Sequence, residues 1–272
     1  MAPEVNLYDT HYGDLADDAQ AAVRRETWDE DLGQSSWITL AEAREWFQLL
    51  ELQSGKSVLE VACGSGGLTC RMAQETGATG TGVDINTLGI EAANARARDL
   101  NLTSRVSFRE VDAAEPLPFA DAWFDAIFCN DAINHIPRRV RMFRDWRRVL
   151  RPGGRVLFTD PIVITGQLTG DEMRARSSIG YFLFTPPGHN ERLLAEAGLT
   201  VLEVRDVTEA VAAISRRWRD ARTRHQDALV AAEGEGGFEG VQRFLEAVHT
   251  LSSEKRLSRY MYLAVRPSAP GA

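Results

Sequence analysis

Cysteine is scarce in this chain of 272 residues: Cys63, Cys70 and Cys129 are the three present. They are too few and too scattered for a disulfide framework, and they read as reduced, small, buried side chains. Cys63 and Cys70 match no usual zinc-ligand spacing, and the five histidines form no cluster with them or with one another. No metal site is therefore expected. Long apolar runs are missing as well. None approaches the ~20 residues that a membrane helix needs, and the opening Met1-Ala-Pro-Glu-Val has neither the basic nor the apolar region of a leader. Positive charge is in deficit, with a net charge of −8 and a pI of about 5.3. Nucleic-acid affinity rests on neutralising phosphates with cations, so this balance argues against a polyanion partner. The arginines between Arg138 and Arg155 fall on one predicted amphipathic helix and its exit, and read as a solvated face. A cytoplasmic enzyme with no membrane or nucleic-acid partner fits, its oligomeric state left open.

What the chain does have is a regular alternation of short apolar runs and helical patterns. Strands are expected at Ser57–Ala62, Thr79–Asp84, Val106–Val111, Phe124–Asn130 and Arg155–Asp160. Helices follow the first glycine turn to about Glu75 and cover Leu88–Leu100 and Arg138–Leu150. The last of these ends at Pro152-Gly153-Gly154, read as a helix stop and turn. Such alternation predicts an α/β fold, a doubly wound and mainly parallel sheet with helices on both faces. Residues 1–54 read as mostly helical, with Ala41–Leu52 packing on the sheet. Residues 161–195 break the rhythm as a cap insertion, carrying Pro186-Pro187-Gly188 and several aromatics. Residues 55–160 are the expected core and 196–272 its completion: a strand near Leu199–Val204, a helix over Ala210–Ala232, a flexible glycine loop at Gly234–Gly240 and a strand over Tyr260–Arg266.

The first strand runs through Glu60-Val61-Ala62-Cys63-Gly64-Ser65-Gly66-Gly67 into a tight turn and a helix. Glycines there let backbone approach a ligand closely, and amides at the helix start can receive an anionic group. Thr81-Gly82-Val83-Asp84 places an acid at the end of the second strand, where a ribose hydroxyl needs an acceptor. Asp84 could instead cap the helix beginning near Thr87. Val111-Asp112-Ala113 ends the third strand beside the same cleft. Asp112 can accept an adenine amine while Ile85 offers the ring an apolar face. A dinucleotide fingerprint spaces its glycines as G-x-G-x-x-G; this turn does not, and no pyrophosphate is implied.

In combination these residues resemble the class I S-adenosylmethionine-dependent methyltransferases. Glu60-Val-Ala-Cys-Gly-Ser-Gly66 is similar to their first motif, Gly82-Val-Asp84 to the ribose-binding one, Val111-Asp112-Ala113 to the adenine one, and Leu150-Arg-Pro-Gly-Gly-Arg155 to the turn before strand five. The resemblance implies a Rossmann-like sheet of seven strands with the last antiparallel, and S-adenosylmethionine as cofactor. It implies Ala62 and Gly64 near the methionine moiety, Asp84 on the ribose, Asp112 and Ala113 at the adenine, Asn130 near the amino-acid portion, and Glu60 and Gly66 among the cofactor-binding residues. A narrower likeness, to the phosphoethanolamine and sarcosine/dimethylglycine methyltransferases, lies in Gly33-Gln34-Ser35-Ser36 and in Asn130-Asp131-Ala132-Ile133-Asn134-His135. It implies that Gln34, Ser35 and Ser36 belong to an N-terminal lid over the cofactor. It also implies that His135 pairs with a lid tyrosine, Tyr12 or else Tyr8, beside the substrate. That group's phosphate-binding residues find no match here.

The expected activity is methyl transfer to N or O of a small-molecule acceptor. C-methylation, or an NAD-dependent oxidation on the same fold, is the alternative. His135 could serve as general base for an acidic acceptor or only as a latch. Tyr181-Phe182-Leu183-Phe184 could line an acceptor pocket or form cap core, and Asp160 could orient a cationic substrate or act as a cap. Trp28 and Trp37, flanking residues 34–36, could shield the cofactor or pack the lid.

Overall fold

Runs of apolar residues buried on both faces, such as Val58-Leu59-Glu60-Val61, suit the middle of a sheet covered by helices. In the computed structural model, which describes residues 12, 13, 15, 17–28 and 30–268, they form a seven-stranded sheet in the order β3-β2-β1-β4-β5-β7-β6. The strands are β1 (Ser57–Val61), β2 (Thr79–Asp84), β3 (Val106–Glu110), β4 (Phe124–Cys129), β5 (Leu150–Ile164), β6 (Thr200–Asp206) and β7 (Leu257–Val265). β1 to β5 pair in parallel, and β7 runs antiparallel to both β5 and β6. The order reverses between β1 and β4. A crevice forms there at the carboxyl ends of the strands, where open α/β sheets bind ligands.

Helices cover both faces. α1 (Asp18–Thr27) and α2 (Leu40–Leu49) precede the sheet; α3 (Gly67–Thr76), α4 (Thr87–Asp99) and α5 (Arg139–Val149) connect its strands. α5 buries Met142, Phe143, Trp146 and Val149, the stripe that a 3.6-residue period delivers to one face. Those residues meet Leu59, Ile127, Val156 and Tyr262 in one core layer. α2 brings Trp46 and Phe47 to the other, with Val58, Phe128 and Leu157. All three cysteines are free and buried.

Several sequence expectations need correction. β5 starts at Leu150 rather than Arg155 and runs on to Ile164. The Pro152-Gly153-Gly154 turn is absorbed into it as a register shift between Phe124 and Ala126 of β4, because the Gly153 amide donates to Arg266 O at 2.8 Å and extends the pairing with β7. α6 (Gly170–Arg176) and α7 (His189–Glu196) lie beyond β5. The helix expected over Ala210–Ala232 is two helices, α8 (Thr208–Arg224) and α9 (Gln226–Ser253), which part at His225. Gly234–Gly240 is not a loop. It lies within α9, whose non-helical backbone is confined to Gly234. The apolar series Phe238, Val241, Phe244, Leu245 and Val248 packs with Ile214 and Trp218 of α8, and this burial outweighs the weak helix propensity of the glycines.

α8 and α9 do more than link β6 to β7. With Val23 of α1 and Trp28, they build a third apolar cluster above the carboxyl edge of the sheet. The sequence had assigned this stretch to completion of the sheet alone.

Candidate active site

The turn after β1 is held by one carboxylate. Asp84 Oδ2 accepts the Gly64 amide at 2.8 Å and its Oδ1 accepts the Asn86 amide at 2.9 Å. Burial raises the Asp84 pKa, against which those backbone amides pull it down. The cap of α4 is Asn86, whose Oδ1 accepts from the Gly89 amide. Asp84 therefore shapes the turn and is not the cap. Ala62 adopts φ 59°, a left-handed conformation that L residues enter at a cost and that clusters at functional sites.

Gly64, at φ +51°, sits directly beneath the Tyr12 hydroxyl, which any side chain would displace. A methyl group on Gly67 would run into the carbonyl oxygen of Leu32, so the glycine turn and the strap of residues 32–37 are in backbone contact. Ser65 Oγ donates to Gly33 O at 3.1 Å, and within the strap Gln34 bonds the Leu32 amide and Glu30 O. Gly66 has different surroundings from Gly64. Its α-carbon abuts the Phe108 ring and Ala93, and it is not on the cavity wall. It lets α3 and α4 approach the sheet.

A cavity of about 880 Å³ opens over this edge. Its walls bring together Tyr12, Gln34, Ser35, Ser36, Glu60, Ala62, Gly64, Asp84, Ile85, Asp112, Ala113, Asn130 and His135. Thus every expected site residue except Gly66 meets at one place; Tyr8 lies outside the described residues. Asp112 is exposed at the rim, its Oδ1 accepting from the Ala114 amide at 2.8 Å. Beside it Ile85 is 66% exposed, an apolar face open toward the cleft. Glu60 is only 4% exposed. Burial pushes its pKa up to about 8, although the Thr69 hydroxyl and amide both donate to it.

The floor beneath the strap is a polar network that the sequence did not reveal. Arg259, fully buried on β7, donates to Asp131 Oδ1 and Glu42 Oε1, both at 2.6 Å, and to Asn130 Oδ1 at 3.2 Å. Asp131 Oδ2 in turn accepts the Trp37 amide at 2.9 Å, and Asn130 Nδ2 donates to Ser36 Oγ at 2.7 Å. Residues 36 and 37 are thereby tied to the end of β4. An arginine immediately before the apolar run Tyr260–Val265 was the available signal, yet nothing local names its partners.

The other end of the cavity is helical and aromatic. Arg176, Ile179, Phe182, Trp218 and Phe244 line it with His135. His135 Nδ1 lies 2.7 Å from the Tyr181 carbonyl oxygen, which can only accept, so Nδ1 carries the proton. Nε2 accepts from Asn134 Nδ2 at 3.0 Å. The ring meets Phe182 edge-on at 4.6 Å, and burial lowers its pKa below the ordinary histidine value. Asp160 does not face this space. Fully buried, it accepts from Arg139 at 2.6 Å and from Thr185 and Asn190. Trp28 and Trp37 both pack on Trp218, at 5.1 and 6.0 Å between ring centroids.

Residues 52–189 match the family model described as a methyltransferase domain. The chain belongs to that family. Methyltransferase GfsG of Streptomyces halstedii is 37% identical over 64% of this chain and 66% of its own length. The 27-O-demethylrifamycin SV methyltransferase of Amycolatopsis mediterranei is 30% identical over 92% of this chain and 91% of its own. The solved phosphoethanolamine N-methyltransferase 2 of Haemonchus contortus, in complex with S-adenosyl-L-methionine, superposes with a TM-score of 0.77. It is 21% identical, and the match covers 95% of this chain and 60% of that one. The protein is an S-adenosylmethionine-dependent methyltransferase. Among the described residues no helix is long and apolar enough to cross a membrane.

Proposed function

We propose that the cavity holds S-adenosylmethionine along the carboxyl edge of β1, β2 and β3 and the methyl acceptor beneath the helical roof. The observation that carries this is the convergence of the expected residues on one cavity. Its donor set suits the cofactor. The Asp84 carboxylate can accept ribose hydroxyls, Asp112 an adenine amine, and exposed Ile85 can cover the ring. Glu60, Ala62, Gly64 and Asn130 line the stretch left for a cationic amino-acid moiety. When bound, the cofactor supplies an electrophilic methyl group: the acceptor's lone pair forms the bond to carbon, the carbon–sulfur bond breaks onto sulfur, and the acceptor gives up a proton.

The chain's own part is alignment and exclusion of water. The strap with Gln34, Ser35 and Ser36 serves as the lid over the cofactor, fastened by Asp131 and Asn130. Tyr12 closes over Gly64. His135 positions the acceptor wall: both ring nitrogens are engaged, one of them by the backbone that carries Tyr181 and Phe182. The relative named for 27-O-demethylrifamycin SV, aligned along nearly the whole chain, supports a small-molecule acceptor, and the acidic surface supports the exclusion of nucleic acid. Residues 1–54 and 161–195 act as lid and cap on one sheet-centred unit, in a cytoplasmic protein. Calorimetric titration with S-adenosylhomocysteine tests the cofactor half. Micromolar binding that Asp84→Ala weakens is expected; binding of NAD instead would overturn it.

A further inference from the structure

The two halves of the cavity differ in chemistry. The half at the strand ends is polar, with Glu60 near the end of β1, Asp84 at the end of β2, and Ser36 and Asn130 beside them. The opposite half is lined by Ile179 and Phe182 from the segment after α6, Trp218 of α8, Phe244 of α9 and Trp37 of the strap. Four distant stretches of chain thus place their apolar side chains in one cluster. Trp218 is packed between Trp28 and Trp37, at 5.1 and 6.0 Å between ring centroids. Side chains held in this way keep their rotamers, so the wall is a fixed surface and does not fold into the space in front of it. Arg176 and His135 lie on the same side, and both are already engaged: Arg176 with the rings of Phe182 and Phe244, His135 with the Tyr181 carbonyl and Asn134.

Covering wetted apolar surface is favourable roughly in proportion to the area removed from water. A small hydrophilic molecule, such as an amino acid or an amino alcohol, covers little of this wall. It also gives up its own hydration to side chains that return no hydrogen bond. A ring system covers far more, has few internal rotations to freeze, and can set its face or edge against indole and phenyl rings, a geometry that adds to the area gain. The size agrees. A cavity of about 880 Å³ stands near the top of the range of about 300–1,000 Å³ for sites that hold one ligand, as room for a cofactor and a second molecule requires. We infer that the acceptor is an apolar molecule of two or more rings, whose skeleton lies against Trp218 and Phe244 with its nucleophilic N or O turned to the cofactor half. Those two residues then set specificity, by area and shape.

The inference rests on the cofactor reading above, and the test separates the two. S-adenosylhomocysteine is first titrated into the protein. The saturated complex is then titrated calorimetrically with benzyl alcohol and 2-naphthalenemethanol, neutral alcohols of one and two rings, and with ethanolamine and sarcosine as hydrophilic probes. The two-ring alcohol is expected to bind about fivefold or more tightly than the one-ring alcohol, with a more negative heat-capacity change, and at least tenfold more tightly than either hydrophilic probe. This comparison needs no variant to fold. Phe244→Ala and Trp218→Leu should each weaken the two-ring alcohol about threefold or more, and Phe244→Ala should leave S-adenosylhomocysteine affinity unchanged within twofold. Equal affinity for the one- and two-ring alcohols, tighter binding of a hydrophilic probe, or no binding of any probe overturns the inference alone. So does two-ring binding that the folded variants leave unchanged, since the probe then sits elsewhere. Failure of S-adenosylhomocysteine to bind overturns the cofactor reading and the inference with it.

Discussion

Arg259 and Asp131 form a buried ion pair, 2.6 Å from Nε to Oδ1, that joins the antiparallel strand β7 to the loop leaving β4. The same guanidinium meets Glu42 of α2, also at 2.6 Å. Asp131 accepts the Trp37 amide, so one cation on the last strand fixes the strap across the cavity. Asp131 itself is held at φ 53°. Arg259→Met would leave two buried carboxylates uncompensated, and breaking such a pair costs roughly 3–5 kcal/mol. Urea unfolding should register that loss, and the double change Arg259→Met with Asp131→Asn should recover part of it. A loss below about 1 kcal/mol, the scale of an exposed pair, would show that the network does not anchor the strap.

Asp84→Ala removes both the proposed ribose acceptor and the carboxylate that fixes the Gly64 amide. Loss of hydrogen bonds to a charged group costs roughly 1.5–3 kcal/mol, so S-adenosylhomocysteine affinity should fall about tenfold to a hundredfold. Calorimetry on a folded variant checks it; unchanged affinity would take Asp84 out of the site.

Glu60 predicts a pH dependence of defined sign. Its folded pKa, about 8, stands above the ordinary carboxylate value of 4.5 because burial disfavours the charged form. Between those values the folded cofactor-free protein holds a proton that the unfolded chain has released. Stability should therefore decline as pH rises through the window. A bound cation nearby favours the ionised form, so S-adenosylmethionine should bind more tightly as pH rises toward 8, with proton release. Titrations in buffers of different ionisation enthalpy measure the released proton, and Glu60→Gln should abolish it. Proton uptake on binding would contradict the assignment.

His135→Ala should slow turnover by about 10²-fold while leaving cofactor affinity unchanged, because it frees the segment bearing Tyr181 and Phe182 rather than touching the cofactor half. With the histidine pKa lowered by burial, any acid limb in the wild-type rate should lie below pH ~6.5. Asn134→Ala should reproduce part of the defect, since its amide holds Nε2. A base role instead predicts a larger loss, up to ~10⁴-fold, with the limb abolished in the histidine variant and kept in the asparagine one.

Gly67→Ala probes the contact of strap and turn. The added methyl would meet the backbone carbonyl of Leu32, and overpacking of this kind costs about 1–3 kcal/mol. Hydrogen exchange of residues 32–37 should accelerate and S-adenosylhomocysteine should bind more weakly; unchanged exchange would mean that the strap is held from elsewhere.

Much of this protein is decided by local sequence. Strand runs buried on both faces, the glycine turn after Glu60-Val61-Ala62, and acids at the ends of the second and third strands together specify a parallel sheet and its ligand edge, since each depends on residues close in the chain. The residues of that edge were legible for the same reason: the carboxyl ends of parallel strands necessarily lie side by side. Four matters were decided only by tertiary structure. Gly66 shares the motif with Gly64, but packing of Phe108 and Ala93 against it turns it away from the cavity. Gly234–Gly240 became helix because Phe238, Val241 and Phe244 find an apolar partner in α8, a long-range gain that propensity does not register. The helical wall of the cavity draws Arg176, Trp218 and Phe244 from separate helices, and the strap is fixed by Arg259, 128 residues beyond Asp131. Charge pairing and burial at such separations depend on how the layers close on one another, and no local pattern carries that information.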